Sequence, residues 1–157
     1  MKDIIYQDKS EFDELMYLRA TMLRIGLTKM GLYVGQPIML GIVADNPGLT
    51  QKNLSIIAGI KPSTVNVMLG RMAKNGLVEI KKDQSNLKLS RVYVTEKGAK
   101  LAKESANFKN ELDKKAYKNL TDEEIKNFKN ILSKVNSNLQ KELEKEENNE
   151  NVEIFKR

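Results

Sequence analysis

Phe12, Leu15, Met16, Met22, Leu23, Leu27 and Met30 recur mostly at three- and four-residue steps, with Leu18 and Ile25 widening the stripe. This pattern predicts one long helix with a broad apolar face. A face that wide needs more than one neighbour. Gly31 and Gly35 break the pattern, and Gln36-Pro37 starts a second helix with Pro at a favourable first position. Its expected buried residues are Ile38, Met39, Ile42 and Val43, and Asp45-Asn46-Pro47-Gly48 ends it with strong turn chemistry.

Residues 49–98 change rhythm. Thr50 is a good N-cap for a third helix, expected to bury Leu54, Ile57 and Ala58. Gly59 makes a turn, Pro62 opens a fourth helix, and Asn75-Gly76 stops it. Val78 and Ile80 alternate on one short strand, and Val92 and Val94 on another, around a polar loop at residues 83–88. Thr95 caps a helix expected to reach about residue 119, with Leu101, Ala102, Phe108, Leu112 and Ala116 as its apolar positions. Thr121 and Glu124 form a capping box. The last helix then places Ile125, Phe128, Leu132, Val135, Leu139 and Leu143 on a near-heptad seam, which suggests helix–helix association. No internal repeat is visible.

The order helix, tight turn, helix, strand, loop, strand defines a winged helix-turn-helix, whose second helix can enter a DNA major groove. The expected fold is mainly α with a small β-wing, flanked by long N- and C-terminal dimerisation helices. Residues 33–98 are the winged helix-turn-helix DNA-binding domain. Residues 1–32 and 99–146 are the helical dimerisation region, and residues 147–157 an acidic, frayed tail.

The charge distribution supports this reading. Residues 48–100 hold ten basic side chains against Glu79, Asp83 and Glu96, a net of +7, while the remainder of the chain nets −1. The positive charge therefore sits in the segment that would read DNA. Cysteine and histidine are both absent. That excludes thiol chemistry and disfavours zinc and iron–sulfur sites, so no cofactor and no metal are expected. The first residues lack an apolar run of signal-peptide length, and the longest apolar block, residues 37–44, is too short to span a bilayer. The expectation is a soluble, cytoplasmic protein with no membrane partner.

On the fourth helix, Val65, Met68, Leu69 and Met72 occupy i, i+3, i+4 and i+7 and should face the core. The opposite side carries Ser63, Val67, Gly70 and Lys74, flanked by Thr64, Asn66 and Arg71, with no acid on the helix. Asn can pair with an adenine edge, and Val67 and the Thr64 methyl can touch a thymine methyl. Arg71 and Lys74 suit phosphates. Thr50 and Gln51 at the start of the third helix, and Lys82 and Lys88 on the wing, complete the expected DNA contacts. Gly70 costs roughly 1 kcal/mol in mid-helix. It reads as close approach to DNA, as a tolerated surface glycine, or as tight packing on a neighbouring helix. Leu87 and Leu89 near the wing tip are unexpected: they either pack back on the domain or line a contact.

The runs GQPIMLGIVADNPGLTQKNL, IKPSTVNVMLGRMAKNGLVE, VYVTEKG and LTDEEIKNFKNIL resemble the MarR (multiple-antibiotic-resistance regulator) family of transcription factors, in the family's order, over roughly residues 12–139. The resemblance implies an obligate homodimer with intertwined terminal helices, bound to a pseudo-palindromic operator and usually acting as a repressor. It also implies a small amphipathic or phenolic ligand, bound between the dimerisation and DNA-reading parts, that releases the DNA. Tyr17, Arg24, Tyr33, Met39 and Phe108 are the candidate ligand residues. The family wing carries Asp-x-Arg before its last strand, where this chain has Asn86 and Lys88. Lys lacks the planar fork of Arg, which puts wing rigidity and minor-groove readout in question. Without Cys and His, the peroxide-sensing and zinc-sensing branches are disfavoured.

The leading expectation is a dimeric, sequence-specific DNA-binding regulator. Its half-sites would lie roughly 10 bp apart, and its small, Asn-bearing reading face predicts an A·T-rich site. The alternative is a winged-helix protein–protein interaction module without specific DNA binding. An enzyme is disfavoured, because there is no His base, no Cys nucleophile and no phosphate-loop pattern.

Overall fold

The computed structural model describes residues 10–149. In chain order the elements are α1 (Glu11–Lys29), α2 (Gln36–Asp45), β1 (Leu49–Thr50), α3 (Gln51–Ala58), α4 (Pro62–Lys74), β2 (Val78–Lys82), β3 (Ser90–Val94), α5 (Glu96–Ala116) and α6 (Asp122–Asn149). Local chemistry sets most boundaries. The Ser10 hydroxyl accepts from the Asp13 N–H at 3.2 Å and starts α1. Gly59 takes a left-handed conformation (φ 64°) at the end of α3, which makes the tight turn into α4 possible. Thr121 and Glu124 bond reciprocally at the start of α6, as the capping box requires.

The core belongs to the helix-turn-helix. Met39, Leu40 and Val43 of α2, Leu54 of α3, and Val65, Leu69 and Met72 of α4 form one buried cluster with Leu77, Val78 and Val92. The three-stranded antiparallel sheet has the order β1-β3-β2, with Leu49 and Ile80 both opposite Val92. The strand β1 was not expected. Two residues give no periodicity, and only pairing with β3 makes them a strand.

Two apolar residues expected on inner faces point outward instead. Ile38 is 69% exposed, because the buried face of α2 runs through Gln36, Met39, Leu40 and Val43. Ile57 is 50% exposed, because α3 turns Leu54, Ser55 and Ala58 inward. Ile80 shares its strand face with buried Val78 and lies opposite buried Val92, yet towards the wing end of the strand it is exposed. At the C-terminal end, α5 stops at Ala116, short of the expected residue 119, and Asn119 adopts a positive φ. Residues 147–149, expected to fray, continue α6 as helix; the rest of the expected tail lies outside the described residues.

Leu27 of α1 and Leu101 and Ala102 of α5 join or pack on the core, and the long helices meet one another at a few specific contacts. The Phe108 ring of α5 lies so close to Gly26 of α1 that a β-carbon there would sit 2.1 Å from it. Arg19 pairs with Asp113 at 2.9 Å. Tyr117 and Phe128 meet edge to face across the α5–α6 corner. Beyond these contacts α1 leaves Phe12, Met16, Leu18, Met22 and Ile25 exposed, and α6 leaves Ile131, Leu139 and Leu143 exposed.

Candidate nucleic-acid interface

The helix α4 has the two faces its sequence predicts. Val65, Leu69 and Met72 are fully buried and Met68 half-buried, which fixes the rotation of the helix. Ser63, Thr64, Asn66, Val67, Gly70, Arg71 and Lys74 are therefore all exposed. A β-carbon at Gly70 would meet nothing within 4 Å, so the glycine does not serve packing against a neighbouring helix. At the C-terminal end of α4, the Lys97 ammonium donates to the Asn75 carbonyl at 2.9 Å, complementing the helix dipole.

Thr50 and Gln51 are half-buried at the start of α3. The Thr50 hydroxyl accepts from the Asn53 N–H at 3.2 Å and is occupied as the helix cap.

The wing is braced by a residue pair that sequence reasoning missed. Asp83 is 4% exposed, and one carboxylate oxygen accepts from the Ser85 N–H (2.8 Å), the Ser85 hydroxyl (2.5 Å) and the Asn86 N–H (2.9 Å). The other oxygen pairs with Nε of Arg91. Arg91 Nη1 in turn donates to the Gly48 carbonyl at 2.9 Å, tying the wing to the connector between α2 and β1. The Ser85 hydroxyl, then the Arg91 guanidinium, then the two backbone N–H groups hold the Asp83 carboxyl well below the usual carboxylate range. The side chains of Asn86 and Lys88 thus do not carry the brace, although the Asn86 N–H contributes to it. Asp83 and Arg91 carry it, eight residues apart and joined only by the strand register. A polar loop that begins with Asp and ends before an Arg was the one available signal.

Lys81 is engaged within the sheet: it pairs with Glu79 at 2.7 Å and lies 5.5 Å from the Tyr93 ring centroid. The Glu79 partner raises its pKa. Lys82 and Lys88 point to solvent.

The five candidate ligand residues do not converge. Met39 is fully buried in the core, where the inward face of α2 puts it, and Phe108 covers Gly26. Tyr17 and Arg24 lie on the exposed surface of α1. Tyr33 lines an open cleft of about 350 Å³, with Val34 beside it and Thr64, Val67 and Arg71 of α4 opposite. The Gln36 side chain accepts from the Tyr33 N–H at 2.9 Å and fixes that wall.

The sequence profile of a winged helix-turn-helix DNA-binding family matches residues 39–79. No curated protein matches the chain. Among solved structures, one similar protein is assigned to the MarR family of transcriptional regulators, from Clostridium acetobutylicum; it is 29% identical, covering 81% of this chain and 94% of its own, with a TM-score of 0.68. An uncharacterised SlyA-like transcription regulator from Listeria monocytogenes is 27% identical, covering 86% of this chain and 91% of its own, with a TM-score of 0.63. The MepR F27L mutant from S. aureus, solved bound to an oligodeoxyribonucleotide, shares the fold at 21% identity, covering 82% of this chain and 94% of its own, with a TM-score of 0.63. Fold and site together define a winged helix-turn-helix DNA-binding protein. Within that class, the chain is similar to solved structures of MarR- and SlyA-like transcriptional regulators.

Proposed function

We propose that this regulator is a homodimer that reads a pseudo-palindromic, A·T-rich operator and represses transcription until a small amphipathic or phenolic ligand displaces it. The observation that carries the DNA-reading part is the exposed, acid-free face of α4 beside a braced basic wing. In this reading Ser63, Thr64, Asn66 and Val67 face base edges, Arg71 and Lys74 take phosphates, and Lys82 and Lys88 follow the backbone from the wing. The role of Thr50 and Gln51 narrows to presenting the N-terminus of α3.

Dimerisation is supported by the apolar rows left open on α1 and α6, the elements assigned to the region 1–32 and 99–146. The buried cluster is drawn mainly from residues 33–98, with Leu27 and Leu32 joining it, and none of those open rows belongs to it. Release by a ligand is supported by the Tyr33 cleft, because one of its walls is the reading face itself. An occupant there would compete directly with DNA. The oligonucleotide-bound MepR structure lends the DNA partner further support.

Selection from random duplex with the full chain, followed by sedimentation of the complex, tests the proposal. The expected result is two A·T-rich half-sites about one helical turn apart, bound by two chains. A monomer on DNA, or recovery of no preferred sequence, would overturn it.

A further inference from the structure

Leu87 at the wing tip is 73% exposed, the highest value for a large apolar side chain among the described residues. It does not pack back on the domain. The loop that carries it is nevertheless closely hydrogen-bonded. The Asp83 N–H donates to the Leu89 carbonyl at 3.1 Å and closes the loop's base. The Asn86 carbonyl accepts from the Leu89 N–H at 2.9 Å, closing a turn with Leu87 and Lys88 as its two apical residues. The Asn86 side chain accepts from the Lys88 N–H at 3.1 Å. Below this turn sits the Asp83–Arg91 brace.

Charge identifies the surface that such a tip fits. Asp83 is the only acid between residues 82 and 90, and it is buried against Arg91. The exposed charges of the loop are those of Lys82 and Lys88, which suits a polyanion. An ordered apolar apex flanked by cations matches a minor groove, where phosphates line the rims and an apolar side chain can wedge against the bases.

We propose that Leu87 is the minor-groove probe of this regulator, packing on the groove floor beside the α4 half-site with Lys88 on the adjoining phosphates and Asp83–Arg91 as the positioning pair. This rests on the DNA-binding reading above. It also gives the wing a sequence preference. The floor at A·T pairs carries only acceptors, whereas a G·C pair adds the guanine N2 amine. Under a leucine that amine is both an obstruction and a donor without a partner. The wing therefore selects against guanine by exclusion, where a basic probe would act by attraction.

The test uses the duplex recovered by selection with the wild-type chain. Flanking A·T pairs are replaced by G·C or by inosine·cytosine, which lacks the amine but matches G·C in the major groove. Wild type is expected to lose about tenfold in affinity with G·C and to tolerate inosine·cytosine. Leu87→Ser and Asp83→Asn should bind the parent duplex more weakly and no longer distinguish the two replacements, while Leu87→Met restores the distinction. Lys88→Ala should keep the distinction and lower the salt slope by about 1. Circular dichroism verifies that each variant is folded; Leu87, being exposed, has no packing to lose. Equal treatment of G·C and inosine·cytosine by wild type, or unchanged discrimination by Leu87→Ser, overturns the proposal while leaving the DNA-binding reading intact. Failure to recover any preferred duplex overturns both.

Discussion

The guanidinium of Arg71 lies over the ring of Tyr33, 5.9 Å from its centroid. The contact joins the connector between α1 and α2 to the exposed face of α4. An exposed cation–π pair is worth about 0.5–1 kcal/mol, which is enough to orient the side chain and too little to hold it from a phosphate. Arg71→Ala is therefore expected to weaken binding to every duplex and to lower the salt slope by about 1. Tyr33→Ala should leave the slope unchanged and alter affinity less than about fivefold. Asn66→Ala should behave differently again, relaxing preference at one base pair by about 1–3 kcal/mol. Fluorescence anisotropy across a salt series, with matched and single-mismatch duplexes, separates the three.

Gly70 sits in mid-helix with open space where a β-carbon would be. Alanine there should strengthen the helix by roughly 1 kcal/mol and raise the melting temperature by about 2–4 °C. If the backbone must come close to a groove, the added methyl should also weaken specific binding by about tenfold, the scale of one lost base contact. Thermal melts and anisotropy on Gly70→Ala measure the two effects independently. A more stable variant with unchanged affinity would mark Gly70 as an ordinary surface glycine.

The Asp83 carboxyl is held below its ordinary 3.8 in the folded chain. Its contribution to stability is thus complete above the unfolded value and disappears as pH falls through the lower folded value. Between pH 5 and 8 this group gives no pH dependence. Asp83→Asn is expected to melt below wild type at pH 7, and the gap should narrow steadily once the pH drops under about 4. Melting curves of both proteins from pH 2 to 8 check the direction; a gap that widens in acid would contradict the brace.

Leu18 of α1 and Leu139 of α6 are 51% and 59% exposed. Burying a leucine is worth about 1.5–3 kcal/mol, and in a two-fold interface each substitution counts twice. Leu18→Asp with Leu139→Asp should therefore shift the chain from dimer to monomer while leaving the core of the winged helix-turn-helix folded. Sedimentation equilibrium reads the first effect and near-ultraviolet circular dichroism of the tyrosines the second. A dimer that survives both charges would place the interface elsewhere.

The residues of α4 show how far local pattern reaches. Val65, Leu69 and Met72 recur at helical spacing, so the rotation of the helix and its outward set are fixed once one face meets a core. Caps at Thr50, Thr95 and Thr121, and the turn at Gly59, are likewise local: each rests on a side chain or a backbone preference within three residues. The outward turn of Ile38 and Ile57 was not legible, because a short helix can bury either side of a wide stripe and only its neighbours choose. The Tyr33–Arg71 contact and the dispersal of Met39, Phe108, Tyr17 and Arg24 were equally hidden, since they join or separate residues far apart along the chain.

By itself, the sequence determined the order of elements, the acid-free face of α4 and the concentration of positive charge beside it. All of these follow from periodicity, capping and composition. Tertiary structure alone decided that β1 pairs with β3, that Arg91 reaches both Asp83 and Gly48, and that the wing is consequently braced by that pair and not by the side chains of Asn86 and Lys88. The physical reason is that strand register and ion pairing are set by geometry between segments, and no spacing along one segment encodes them.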